Sequence, residues 1–152
     1  MARTEASQDI QRSPLDVFEY VRNPEHYPDW AGIVLEARNI RQPTFTQEGH
    51  YTSVSKFLGR RMELNFRMTV TERPLALRLE SMGGPVPHSW HYTFEPRGNG
   101  TRVTVEVDGD PGTFFALAAP LVMTILHREI QTELLTLKNL LETVVPARRV
   151  AS

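Results

Sequence analysis

The chain has no cysteine, which excludes a disulfide framework, thiol chemistry and thiolate metal sites. An excess of either charge is missing as well: 17 Lys and Arg stand against 18 Asp and Glu, for a formal net charge of −1. Without a basic field to set against a phosphate backbone, no nucleic-acid partner is expected. Long apolar runs are also lacking. The longest, Phe114 to Met123, falls well short of the roughly 20 residues with which a helix spans a bilayer, so no transmembrane segment is expected. The start, Met1 to Gln8, is polar and lacks the apolar stretch of a secretory signal, which points to the cytoplasm. Neither a Gly-rich phosphate loop nor a Gly-x-Ser-x-Gly elbow occurs; nucleotide and hydrolase chemistry fall away, and no cofactor and no metal are expected.

What the chain does have is one long segment, Thr113 to Val145, free of glycine. Met123, His127, Ile130, Leu134, Leu137 and Leu141 recur in it at steps of four and three, which places them on one side of an α-helix. From Leu121 to Val145 that helix would run about 37 Å, enough to cross a small domain. Asp110-Pro111-Gly112-Thr113 offers turn and cap chemistry at its beginning, Pro120 should kink or restart it, and Pro146 ends it. Leu121 and Ile125 lie about opposite the stripe. The helix start is therefore apolar all round, and a homodimer through Leu121 and Ile125, or a cover from the Pro43-Thr44-Phe45 loop, is expected to shield it.

Ahead of the helix the pattern is β. An edge strand is expected over Arg3 to Gln11, then a short helix with Ser13 as cap and Pro14 in its first turn, then a second helical turn from Pro24 to Trp30. Strands follow at Ile33 to Arg41, Gly49 to Phe57, Arg61 to Glu72, Leu75 to Met82, His88 to Glu95 and Thr101 to Asp108, parted by short turns such as Leu58-Gly59-Arg60 and Arg97-Gly98-Asn99-Gly100. Met62, Leu64, Phe66, Met68 and Val70 alternate with polar residues, as do Trp90, Tyr92 and Phe94, so each strand has one apolar face in need of a cover. The prediction is an α+β fold, in which a curved antiparallel sheet wraps around the long C-terminal helix and two short helices after the first strand plug one end. A single domain is expected over residues 1–152, with an ordered core of about residues 3–145 and a short C-terminal tail.

Several stretches carry a resemblance: Ser13-Pro14-x-x-Val17-Phe18, Pro24-x-x-Tyr27-Pro28-x-Trp30, Val70-x-Glu72-x-Pro74, Gly100-Thr101-Arg102-Val103-Thr104 and the terminal Leu137-Lys138 to Glu142 region. Together they make almost the whole chain resemble the START-like superfamily of helix-grip proteins, in particular its polyketide cyclase/dehydrase and lipid-transport branch. The resemblance implies a hydrophobic cavity between sheet and C-terminal helix that takes a lipid, polyketide or quinone-like molecule. It does not choose between carriage and chemistry.

The expected cavity walls are Trp30, Tyr51, Leu64, Phe66, Met68, Leu77, Leu79, Trp90, Tyr92, Met123 and His127, around a volume of roughly 300 to 1,000 Å³. Binding of a hydrophobic or aromatic small molecule is the leading expectation. The alternative is a cyclase/aromatase-like enzyme in which His127 and Tyr92 move protons, since an imidazole on the apolar stripe can act as acid or base near neutral pH. The more common reading of His127 is a core or rim histidine hydrogen-bonded to one partner, and that of Trp30 and Tyr92 is core packing. Tyr51, Ser53 and Ser55 share one strand face while Val54 argues for the opposite phase, so that face stays open. Cyclising relatives present an arginine to substrate, but Arg67 and Arg78 fall on the wet face by alternation. His88 and His91 lie three apart on a strand and so point to opposite faces, against shared metal ligation.

Overall fold

The computed structural model describes residues 2–146; the expected C-terminal tail lies largely outside them. Period-two alternation becomes seven strands, each antiparallel to its neighbours: β1 (Ala2–Ile10), β2 (Val34–Arg41), β3 (Gly49–Phe57), β4 (Arg60–Glu72), β5 (Leu75–Ser81), β6 (His88–Arg97) and β7 (Gly100–Gly109). The order across the sheet is β1-β7-β6-β5-β4-β3-β2, so the first strand closes against the last and the middle of the chain meanders to the other edge. Leu58 and Gly59 form the two-residue β3–β4 turn, both with positive φ (51° and 76°), the mirror-image turn whose twist suits a hairpin.

Register aligns the apolar faces. Leu79 stands opposite Met68 and Trp90, and Trp90 opposite Val107. One step along, Leu77 faces Val70 and Tyr92, and Tyr92 faces Val105. These rows form the inner face of the sheet.

Helix α1 (Pro14–Val21) begins where Ser13 Oγ accepts the Asp16 amide at 3.2 Å, as a serine cap should. It buries Val17, Phe18 and Val21, and Phe18 sits edge-on against Phe94 at 5.6 Å. After a 3₁₀ turn (Pro24–His26) comes the short α2 (Tyr27–Trp30). Helix α3 (Ala119–Thr143) lies across the inner face and along β1. Lys138 Nζ donates to Asp9 O at 3.0 Å, and Glu142 accepts the Gln11 amide at 2.8 Å, which clips the end of β1 to the helix.

Three expectations need correction. The long helix starts at Ala119 rather than Thr113: Pro120 sits in its first turn, where its missing amide costs nothing, and residues 110–118 form turns instead. Its buried stripe is also rotated, with Val122, Leu126 and Glu133 added to Met123, Ile130, Leu134, Leu137 and Leu141, while His127 is only part-buried. Finally, Phe45 stacks on Phe18 at 5.8 Å and does not cover the helix start. There Ile125 packs against the core, while Leu121, 47 % exposed, and Leu117 just ahead of the helix present apolar surface.

Candidate ligand-binding site

The rings of α1 fill one end of the space between sheet and α3. At the other end a cavity of about 100 Å³ remains. Its sheet wall comes from alternate residues of β3, β4, β5 and β6: Tyr51, Ser53 and Ser55; Met62, Leu64 and Phe66; Leu79; His88, Trp90 and Tyr92. Tyr27 and Trp30 of α2 form a second wall, and Val122, Met123, Leu126 and Glu133 of α3 the roof. Asp110, Pro111 and Phe115 from the β7–α3 connection, and Val86 from the β5–β6 loop, complete the enclosure.

Of the walls expected from sequence, Trp30, Tyr51, Leu64, Phe66, Leu79, Trp90, Tyr92 and Met123 meet here. Met68 and Leu77 are fully buried on the same sheet face but are not among the lining residues. His127 lies elsewhere. It shares a separate open cleft with Ala2, Arg3 and Thr4, and its Nδ1 is 3.1 Å from Thr4 Oγ1, so it ties α3 to the sheet edge as a rim histidine. The open phase of β3 is resolved inward: Ser53 and Ser55 are buried, bonded to each other at 2.5 Å, and line the cavity. The volume is below the expected range because eight aromatic rings line the walls, five of them packed ring against ring in one row. Tyr27 and Trp30 meet at 5.6 Å, Tyr27 and Tyr51 at 5.4 Å, Tyr51 and Phe66 at 5.2 Å, and Trp30 and Tyr92 at 6.3 Å between centroids.

Sequence reasoning missed Glu133. It is 4 % exposed, and its Oε2 accepts the Ile33 amide at 3.1 Å, joining the helix to the corner after α2. Burial pushes its carboxyl up to about 8, against the amide bond that stabilises the charged form and with a further push from Glu129; near neutral pH it is mainly a protonated acid. The available signal was spacing, since Leu126, Ile130, Glu133 and Leu137 also step by four, three and four.

The buried tyrosines and His88 around it are also shifted toward their neutral forms. Burial raises the Tyr27, Tyr51 and Tyr92 hydroxyls far above their ordinary value, and the charge of Glu133 adds to the rise for Tyr51 and Tyr92. His88 is lowered by burial, in part opposed by its contact with the Val86 carbonyl at 2.7 Å. Two polar atoms stand apart: the Tyr27 hydroxyl and Trp30 Nε1 are buried without a hydrogen-bond partner among the described residues. Arg67 and Arg78 pair with Glu80 on the outer face, at 2.5 and 2.7 Å, away from the cavity. Among the described residues no cluster of three or more His, Cys, Asp or Glu could hold a metal ion, and no helix is long and apolar enough to cross a membrane.

A seven-stranded antiparallel sheet curled about one long C-terminal helix, with short helices after the first strand and an apolar cavity between, defines a helix-grip domain of the START type. The chain belongs to the family described as polyketide cyclase / dehydrase and lipid transport, which matches residues 1–142. Among solved structures, a protein of Thermus thermophilus superposes with a TM-score of 0.82 at 17% identity, over 95% of this chain and 100% of the other. The STAR-related lipid transfer protein of Xanthomonas axonopodis gives a TM-score of 0.77 at 15% identity, over 93% and 86%. The di-domain ARO/CYC protein StfQ of the steffimycin biosynthetic pathway gives 0.73 at 12% identity, with 92% of this chain covering 50% of that one. At these identities the likeness is one of fold. No match is found among curated proteins.

Proposed function

We propose that this protein binds a hydrophobic or aromatic small molecule in the cavity between sheet and α3. The observation that carries the proposal is the cavity itself, walled by aromatic rings, inside a family described by polyketide chemistry and lipid transport. A dry apolar cavity of roughly 150 Å³ holds a benzene ring, so the space of about 100 Å³ takes a chain end as it stands and a small ring with a shift of its walls. A larger ligand enters by displacing the Phe115 segment. Phe115 is only half-buried and rests edge-on against Phe57 at 5.3 Å.

The test is mass spectrometry of the purified protein, native and then denatured, followed by titration of the refolded, empty protein with methylenecyclohexane. A stoichiometric apolar compound released on unfolding, or saturable probe binding, is expected. Failure of both overturns the proposal.

A second reading, catalysis of the cyclase/aromatase type, is favoured by Glu133. A buried carboxyl that gains and loses its proton near neutral pH beside Tyr51 and Tyr92 is equipped to move a proton to or from a bound carbonyl compound. In that reading Glu133 takes the part expected of His127. Glu133→Gln would then abolish turnover of an identified ligand while leaving its binding intact.

A further inference from the structure

We propose that uptake of an uncharged ligand by the cavity is coupled to protonation of Glu133, so that the protein holds its ligand while this carboxyl is neutral and releases it as the carboxyl ionises. The inference rests on the cavity-binding reading above and adds the condition under which that binding occurs.

The coupling follows from where Glu133 stands. It lines the cavity and is 4 % exposed. Oε2 accepts the Ile33 amide at 3.1 Å. Oε1 makes no hydrogen bond among the described residues and, unlike the Tyr27 hydroxyl, is not sealed from water. Among the described residues no lysine or arginine lines the cavity, so an ionised Glu133 has no counter-ion there. The titratable groups around it are Tyr27 from α2, Tyr51 from β3, Tyr92 and His88 from β6, the exposed Asp110 from the β7–α3 connection, and Glu129 one turn back on α3. Burial raises the three tyrosines and lowers His88, so none of these four gains charge as pH rises from about 7 to 9.

The charged form of Glu133 is therefore supported by one amide and by water in the cavity, where a space of about 100 Å³ has room for it. An apolar ligand takes that space and displaces the water. The charge is then left with a single hydrogen bond, which disfavours the carboxylate and not the acid. By linkage, a ligand that binds the protonated protein better loses apparent affinity as the protonated fraction falls.

The test is calorimetric titration with methylenecyclohexane at about pH 6, 8 and 9, with the folded state checked by circular dichroism at each pH. Because the Glu133 carboxyl is raised to about 8, affinity should be about twofold weaker at pH 8 than at pH 6, and about tenfold weaker at pH 9. Repeating the pH 8 titration in two buffers of different ionisation enthalpy should show about half a proton taken up per ligand bound. Glu133→Gln keeps an acceptor for the Ile33 amide and cannot ionise; its affinity should be the same at all three pH values, with no proton taken up. A wild-type affinity that stays flat or rises over this range, or a pH dependence that survives in Glu133→Gln, overturns the coupling and leaves the cavity-binding reading standing. If methylenecyclohexane binds at none of the three pH values, that reading falls and the inference falls with it.

Discussion

Glu133→Gln offers a sharp test of the electrostatics, because glutamine keeps the acceptor for the Ile33 amide and removes only the charge. In the fold the Glu133 carboxyl is raised from 4.5 to about 8. Below pH 4.5 it is protonated in folded and unfolded chains alike, and it costs nothing. As pH rises from there, the unfolded chain releases the proton and the folded one retains it, so stability declines until the folded group also ionises near pH 8. Each pKa unit is worth about 1.4 kcal/mol. The loss therefore reaches about 3 kcal/mol at pH 7 and about 5 kcal/mol by pH 9, a shift of roughly 2 M in a urea midpoint for a chain of this size. Wild type and Glu133→Gln would be unfolded in urea at intervals from pH 5 to 9, and their stabilities subtracted. Subtraction removes the groups both proteins share, including His88, whose lowered pKa withdraws stability as pH falls. Glutamine should become progressively the more stable across this range. A difference that stays flat would refute the claim that Glu133 is held neutral in the cavity.

Other perturbations separate the walls from their supports. Phe18→Ala removes a ring that is 2 % exposed and wedged against Phe94 and Phe45, and should cost about 3 to 5 kcal/mol in urea unfolding; a cost under about 1 kcal/mol would mean that α1 is not packed as described. His127→Phe should leave methylenecyclohexane affinity within about twofold, because the imidazole serves Thr4 at the sheet edge; a larger loss would return His127 to the ligand. Phe115→Ala opens the side of the cavity nearest the β7–α3 connection and should raise the affinity for naphthalene relative to benzene in calorimetry, with an unchanged ratio refuting that route of entry.

Much of the architecture was legible because its causes are local. Alternation along Met62 to Val70 is a property of one strand, and it located β4 to within a residue at its start. Ser13 and Pro14 mark the beginning of α1 for reasons contained in a single turn. Pro120 limited the long helix through its own missing amide, although the turns before it were read as helix. The family resemblance drew on these same segments, and the match over residues 1–142 agrees with it.

The site was legible only in part. Trp30, Tyr51, Phe66, Trp90 and Tyr92 could be named because large apolar residues on an inner face have to pack somewhere. Which of them bound an open space, and how large that space is, depends on how the rings of four elements meet. In β3 the phase stayed open because both faces carry buried residues: Ser53 and Ser55 inward, Thr52 and Val54 outward. Along α3, the stripe through His127 and the one through Glu133 share Ile130 and Leu137, so periodicity supports both equally. Strands, helices and an apolar interior follow from the residues alone, since side-chain alternation and capping are written in near neighbours. That Glu133 faces the cavity and His127 the sheet edge follows only from the assembled fold, because the rotation of a helix about its axis is set by contacts with Thr4 and Ile33, more than a hundred and about a hundred residues away in the chain.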